Sequence, residues 1–248
     1  AIRPEGNRNT GLFTSFTGQN DAGSLIAWAW GVSRLIDALE VTPDANIKPN
    51  RLGITGCSRD GKGALMIGAM DSRIALTIPQ ESGSGGVAAW RASEYENANQ
   101  GTVGQGDDVQ RLSNTYTEQA WFGTAIAEFN GNVDRLPFDH HELIGLAAPR
   151  GLLALGNIGW QWLGRYNGVQ GMGAARKIYE ALGAAENIGF VESGHGHCGT
   201  DYAGQEQAAI DAFVKKFLLD ETVSTDYWDD AIALDEERWI DWETPALE

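Results

Sequence analysis

Basic residues are scarce in this chain: 18 Lys and Arg stand against 34 Asp and Glu, a formal net charge of −16. Binding a nucleic-acid backbone needs clustered cations, so no nucleic-acid partner is expected. Long apolar runs are missing too. None approaches the roughly eighteen residues that cross a bilayer as a helix, and no membrane partner is expected. The chain opens at Ala1 with neither a charged n-region nor an apolar h-region, so any export signal is expected to be already gone or never present. Cysteine is reduced to Cys57 and Cys198, too few for a disulfide-stapled scaffold. What is present is an ordinary globular composition of 248 residues, 42% hydrophobic. That suffices for the core of one α/β domain, and a single domain over residues 1–248 is expected, without internal repeats.

The chain is organised around residues 51–65. An apolar run, Leu52 to Thr55, leads into a glycine-bounded corner, and a helical run follows from Lys62 to Met70. Strand, sharp turn and helix form the setting in which a serine hydrolase presents its nucleophile. Ser58 sits at the corner between Gly56 and Gly61, and the helix N-terminus beside it faces a developing oxyanion. Asp60 stands where the hydrolase pentapeptide has its second glycine. The same stretch also fits the phosphate loop G-x-x-x-x-G-K, although Gly63 follows where that loop needs Ser or Thr for Mg²⁺. An incidental glycine turn is the third reading.

Around this corner the pattern alternates. Residues 1–22 read as loop, and Leu25, Trp28, Ala29, Val32, Leu35, Ile36 and Leu39 recur at helical spacing up to Glu40. Ile74–Ile78, Gly151–Leu155 and Ile188–Val191 read as further strands, the last at an edge. Helices are expected over 118–129, 140–147, 172–182 (with Gly183 ending it) and 205–219. Residues 90–116 are polar and Gly- and Asn-rich, and read as a long functional loop. Helices alternating with buried strands predict a mostly parallel sheet with helices on both faces.

Ser58 comes first, an acid follows, and histidine comes late, the chain order of an α/β-hydrolase. The serine needs a base to take its proton and an acid to orient that base. Of four histidines, His140 and His141 begin an expected helix, where a capping or surface role is the simpler account. His195 and His197 lie on the Gly-rich segment after the last strand, where a base belongs. They could instead begin a metal site, but zinc needs three or four ligands and no other His lies in a motif. For the acid, Glu81 ends the strand next to the nucleophile strand. Asn157, on the rim of the later strand, cannot ionise, and Asp139 precedes the helix before that strand. The two cysteines are either both free and buried or paired. If Ser58 and His197 meet, their neighbours Cys57 and Cys198 come close enough to bridge, which selects His197 over His195 and points to an oxidising compartment.

Several segments together resemble the glucuronoyl esterases, carbohydrate esterase family 15, in their fungal form. They are Gly56-Cys-Ser-Arg-Asp-Gly-Lys-Gly-Ala64, Ile78-Pro-Gln-Glu-Ser-Gly83, Ala27-Trp-Ala-Trp-Gly-Val-Ser-Arg34 and Trp239-Ile-Asp-Trp242. The likeness runs from about Ala22 to Trp242. It implies an α/β-hydrolase three-layer sandwich with Ser58 as nucleophile, Glu81 as acid, His197 as base and Arg59 holding the oxyanion. It also implies sugar contacts from Lys62, Gln110, Glu118 and Trp162, a Cys57–Cys198 disulfide, and no cofactor or metal.

The chain departs from the family in two places. Other members carry a further Cys just before the Trp-Arg pair, where this chain has Ala89-Trp90-Arg91. They also carry a long stretch with sheet strands before the elbow, where 57 residues stand here, so the usual N-terminal strands are expected to be missing. The resemblance implies a secreted, monomeric serine esterase acting on the ester between 4-O-methyl-glucuronic acid of glucuronoxylan and lignin alcohols. A broader carboxylester hydrolase and a non-catalytic carbohydrate-binding fragment are the alternatives.

Overall fold

A computed structural model describes residues 22–103, 108–114, 121–202, 204–229 and 231–247. The loop expected over residues 1–22 lies almost wholly outside them, and so does Glu118. Four strands form one sheet: β1 (Leu52–Cys57), β2 (Ile74–Gln80), β3 (Gly151–Asn157) and β4 (Ile188–Ser193). All three pairings are parallel, and the order across the sheet follows the chain.

Seven α-helices are described. They are α1 (Ser24–Glu40), α2 (Arg59–Met70), α3 (Trp90–Ala98), α4 (His140–Gly145), α5 (Tyr166–Ala181), α6 (Glu206–Leu218) and α7 (Glu236–Trp239). Successive right-handed crossovers that advance in one direction put their helices on one face. On that face Leu152 and Ala154 of β3 pack with Leu65 of α2, Ile144 of α4, and Met172, Ala175 and Tyr179 of α5. On the other face Leu153 and Leu155 meet Ala209 and Phe213 of α6. Strands covered on both faces need apolar residues at every position, which is why β3 reads as an unbroken Leu-Leu-Ala-Leu run. Ala29 and Ile36 of α1 pack on Ile67 of α2 beside β1. The expected three-layer α/β arrangement is therefore present, here with four strands among the described residues.

Three expectations need correction. Residues 90–98 are helical, not loop. The first turn of α3 is capped from a distance: the Asp139 carboxylate accepts from the N–H groups of Trp90 and Arg91, leaving no local signal to read. The helix expected over 118–129 is, in its described part, a 3₁₀ segment from Thr124 to Phe129. The Trp121 carbonyl accepts from Leu25 N–H of α1, which ties that residue to α1 instead of to its own helix. The third concerns His140, which is neither cap nor surface. Its ring is buried edge-on against Trp90, with Nδ1 2.6 Å from the Gly86 carbonyl.

The acidic tail returns to the body. Phe190 N–H donates to Tyr227 O and Asp229 N–H to Phe190 O, so the tail covers the outer edge of β4. Trp239 Nε1 donates to the Tyr166 hydroxyl.

Burial pushes the His140 imidazole down to about 4, against the opposing pull of Asp139. In the unfolded chain a histidine takes up its proton near pH 6.5. Between these values the unfolded state binds the proton and the folded state does not, so the stability carried by neutral His140 is lost on acidification. Urea unfolding of the chain should therefore show about 2 kcal/mol less stability at pH 5 than at pH 7 from this group. His140→Asn, which cannot titrate, should shrink that difference; an equal drop in both proteins would assign it to other groups.

Candidate active site

Ser58 occupies the corner between β1 and α2 with φ 59° and ψ −123°, a backbone conformation that L residues rarely hold. Two glycines make the corner possible. A Cβ on Gly56 would lie 2.3 Å from the Asp60 carbonyl oxygen, and one on Gly61 would lie 2.5 Å from the Gln80 carbonyl oxygen of β2. The close approach that the hydrolase pentapeptide assigns to its second glycine is thus made here by Gly61. Asp60 is left exposed in the first turn of α2, where a negative charge suits the helix dipole.

Glu81 follows directly on β2 with φ 47°, and its N–H donates to Leu155 O of β3. Its buried carboxylate bonds His197 Nδ1 at 2.6 Å through one oxygen. The other oxygen accepts from Cys198 N–H at 3.0 Å and from Gln80 Nε2 at 3.1 Å. Cys198, at φ 58°, is disulfide-bonded to Cys57 with the Cα atoms 5.6 Å apart. The neighbour of His197 is therefore covalently joined to the neighbour of Ser58. No hydrogen bond joins Ser58 Oγ to His197 among the described residues. His197 Nε2 lies 3.8 Å from Cys198 Sγ, and Trp160 stacks on its ring at 4.7 Å between centroids and 10° between planes.

The alternatives separate on this geometry. His195 is held by Asn157, whose Nδ2 donates to the His195 carbonyl oxygen, and its side chain stands between the carboxylates of Glu81 and Glu206, 3.7 Å from each. The ligand-type atoms that cluster beside His197 are the sulfurs of Cys57 and Cys198, and a disulfide offers a metal no thiolate. Asp139 spends its carboxylate on the N–H groups of Trp90, Arg91 and His140 and on the Arg91 guanidinium, away from both histidines of the rim. Lys62 is buried, with its ammonium donating to Ser82 O, Ser84 O and Gln110 Oε1. The residue after Lys62 is Gly63, where a phosphate loop needs Ser or Thr for Mg²⁺.

The other expected contacts gather beside this corner. Gln110 is buried against Lys62, and its N–H donates to the Trp162 carbonyl at 2.7 Å. Trp162 is half-buried. Arg59 is exposed, its guanidinium 6.0 Å from the ring of Trp121. Glu118 lies outside the described residues. Two aromatic residues at the site were not singled out by the sequence. Trp160 offered one signal, its position on the rim just past Asn157. Trp121 lies 5.4 Å from Lys62 Nζ and offered none.

A family model for fungal glucuronyl esterases matches residues 2–183. The chain belongs to the fungal glucuronoyl esterase family. Among curated relatives, a 4-O-methyl-glucuronoyl methylesterase of Schizophyllum commune is 46% identical over 97% of this chain and 61% of its own length. One of Hypocrea jecorina is 43% identical over 98% of this chain and 51% of its own length. The Hypocrea jecorina glucuronoyl esterase catalytic domain superposes with a TM-score of 0.90 at 42% identity, over 97% of this chain and 65% of that one. A mutant of the Sporotrichum thermophile enzyme, solved with methyl 4-O-methyl-β-D-glucopyranuronate, gives 0.89 at 38%, over 97% and 64%. The chain thus spans between 51% and 65% of the length of these relatives.

The disulfide closes a span of 141 residues, a constraint worth roughly 5 kcal/mol in the chain-entropy model. Cys57→Ser with Cys198→Ser should lower the unfolding midpoint in urea accordingly. It should also cost activity, because the Ser58–His197 geometry loses its tether. Unchanged stability in the double variant would show that packing alone holds the two ends together.

Proposed function

We propose that residues 1–248 form one catalytic unit that hydrolyses the ester between 4-O-methyl-glucuronic acid of glucuronoxylan and a lignin alcohol. The observation that carries this reading is the 2.6 Å Glu81–His197 bond on a loop tied by disulfide to the residue preceding Ser58. Ser58 Oγ attacks the uronate carbonyl while His197 Nε2 takes its proton. Glu81 fixes the imidazole tautomer through Nδ1 and stabilises the imidazolium as it forms. Arg59 and backbone N–H groups at the start of α2 hold the oxyanion. The alcohol departs with the proton from His197, and water then attacks the acyl-enzyme by the same route. Lys62, Gln110, Glu118 and Trp162 take the sugar, and its uronate half is the acyl group. The names of the relatives and the methyl glucuronate ester bound to one of them support this substrate class. The disulfide favours secretion into an oxidising medium, and action as a monomer completes the proposal.

The decisive assay follows alcohol release from a methyl ester of 4-O-methyl-glucuronic acid, beside an acetyl ester and ATP. Turnover of the uronate ester alone supports the reading, equal turnover of both esters favours a broader carboxylester hydrolase, and binding without turnover favours a carbohydrate-binding fragment. Ser58→Ala should abolish hydrolysis while leaving glucuronate binding, since only the covalent step is removed. Retention of more than a few per cent of the rate would remove Ser58 from the role.

Glu81→Gln should cost up to about 10⁴ in kcat, the scale seen when a triad acid is neutralised. Asp139→Asn should leave the catalytic rate near that of the parent and lower stability instead, because its oxygens cap α3 and α4. The opposite ranking in kcat would make Asp139 the acid.

A further inference from the structure

The segment that ends β4 reads Ser193-Gly-His-Gly-His197, and only its last residue has a part in the mechanism. The other two polar residues of this alternation are engaged as well. Ser193 Oγ donates to Glu206, the first residue of α6, and His195 stands between Glu206 and Glu81. The ring turns one nitrogen to each carboxylate: Nδ1 lies 3.7 Å from Glu81 Oε1, and Nε2 lies 3.7 Å from Glu206 Oε1. His197 takes the other oxygen of Glu81. Carboxylate, imidazole, carboxylate and imidazole thus follow one another from α6 to the base.

Little of this row is open to solvent. The His195 side chain is 5% exposed and both carboxylate side chains 0%. Tyr202 meets the His195 ring edge-on, and its hydroxyl donates to Gln80 Oε1, while Gln80 Nε2 donates to Glu81. Burial, then the charges of Glu206 and Glu81, push the Tyr202 hydroxyl up. Burial pushes Glu192, paired with Arg165, up to about 7, and the Glu206 charge adds to that. Within the enclosure two buried atoms, His195 Nε2 and Glu206 Oε1, have no hydrogen-bond partner among the described residues. They face each other across a gap too short for a water, and a shift of roughly an ångström would join them. Burying a carboxylate with a single hydroxyl partner is costly, and a helix start is served as well by an exposed one. The fold alone gives Glu206 no reason to be there; the histidine it faces does.

We propose that His195 is a positioning residue: anchored by Glu206, it holds the Glu81 carboxylate toward His197 and keeps a second negative charge behind the imidazolium as that forms. This inference rests on the function proposed above, in which His197 is the base. Two consequences separate the role from packing. A group that acts through Glu81 alters the chemical step and leaves sugar binding alone. A carboxylate behind Glu81 favours the protonated imidazole, so its removal moves the titration of the base to lower pH.

The test follows hydrolysis of the methyl ester of 4-O-methyl-glucuronic acid across pH. His195→Ala should lower kcat roughly tenfold, the lower end of what losing an outer partner of a reacting group costs, with KM within about twofold. His195→Asn, whose amide can take the place of Nδ1 beside Glu81, should recover part of the loss. Glu206→Gln, which keeps the shape and an acceptor for Ser193, should shift the acid limb of kcat/KM down by about half a pH unit. The double variant His195→Ala with Glu206→Gln should be no slower than His195→Ala alone, because both act through Glu81. An unmoved acid limb, additive losses, or a rise in KM with kcat unchanged would overturn the proposal. A second measurement needs no turnover. The NMR ring signals of His197, identified by their loss in His197→Gln, should titrate about half a pH unit lower in Glu206→Gln than in the parent. If the parent hydrolyses no ester but this shift appears, the catalytic reading falls and the coupling stands. If the midpoint is unmoved, the coupling falls whatever the rates.

Discussion

The bond between Glu81 and His197 constrains everything around it. Glu81 ends β2, while His197 follows β4, and β3 runs between them. The loop after β4 must therefore arch over the end of β3 before its histidine can reach an acid two strands away. Asn157, the last residue of β3, supports that arch by donating to the His195 carbonyl oxygen, and its own oxygen accepts from Gly159 N–H. At the rim of β3 Asn157 thus serves as a strut, and the carboxylate that meets His197 comes from the end of β2, beside the strand that leads to Ser58. An amide serves that purpose better than a carboxylate, because the loop needs a donor as well as an acceptor.

The cost of this arrangement appears in the backbone. Ser58, Glu81 and Cys198 all hold positive φ without being glycine, and each lies at the Ser58 corner or beside the Glu81–His197 bond. Such conformations cost on the order of 1–3 kcal/mol apiece and survive only where surrounding contacts over-determine them. Those contacts are visible: Ser58 N–H to Gln80 O, Glu81 N–H to Leu155 O, Cys198 N–H to the Glu81 carboxylate, and the disulfide. The sheet fixes the first two corners and the covalent bridge fixes the third. Behind the Glu81–His197 pair lies a second layer of polar groups, in which His195 stands between Glu81 and Glu206 and Ser193 Oγ donates to Glu206. A chain with an excess of acid concentrates some of it here, where imidazole rings, a hydroxyl and N–H groups face it.

The sheet and the corner were legible because they rest on local rules. An apolar run of four or five residues followed by a helical period marks β1 with α2 and β3 with its neighbours wherever it occurs. Gly56 and Gly61 declare a turn whatever surrounds them. The pairing of Glu81 with His197 was expected from the resemblance and from the exclusion of Asn157, which cannot ionise, and Asp139, which precedes its helix; the two side chains are bonded in the structure. The misses share a cause: their determinants lie far away in the sequence. Asp139 caps α3 across some fifty residues, and Leu25 takes the Trp121 carbonyl from nearly a hundred residues earlier. His140 presents a polar side chain at a helix start, and only the assembled pocket of Trp90 and Gly86 shows that it is core. Trp160 belongs with them, because nothing in an aromatic-rich segment tells which ring meets the histidine.

The bridge between Cys57 and Cys198 has a topological consequence. Every side chain assigned here to chemistry or to substrate, from Ser58 to His197, lies between the two half-cystines. The working parts thus sit on one covalently closed ring, with the remaining polypeptide attached outside it. A single proteolytic nick anywhere within that ring leaves its two pieces joined through sulfur. Neither Ser58 nor His197 can then diffuse away from the other piece. In an oxidising medium shared with proteases, such a ring must be cut twice before a functional residue can be released.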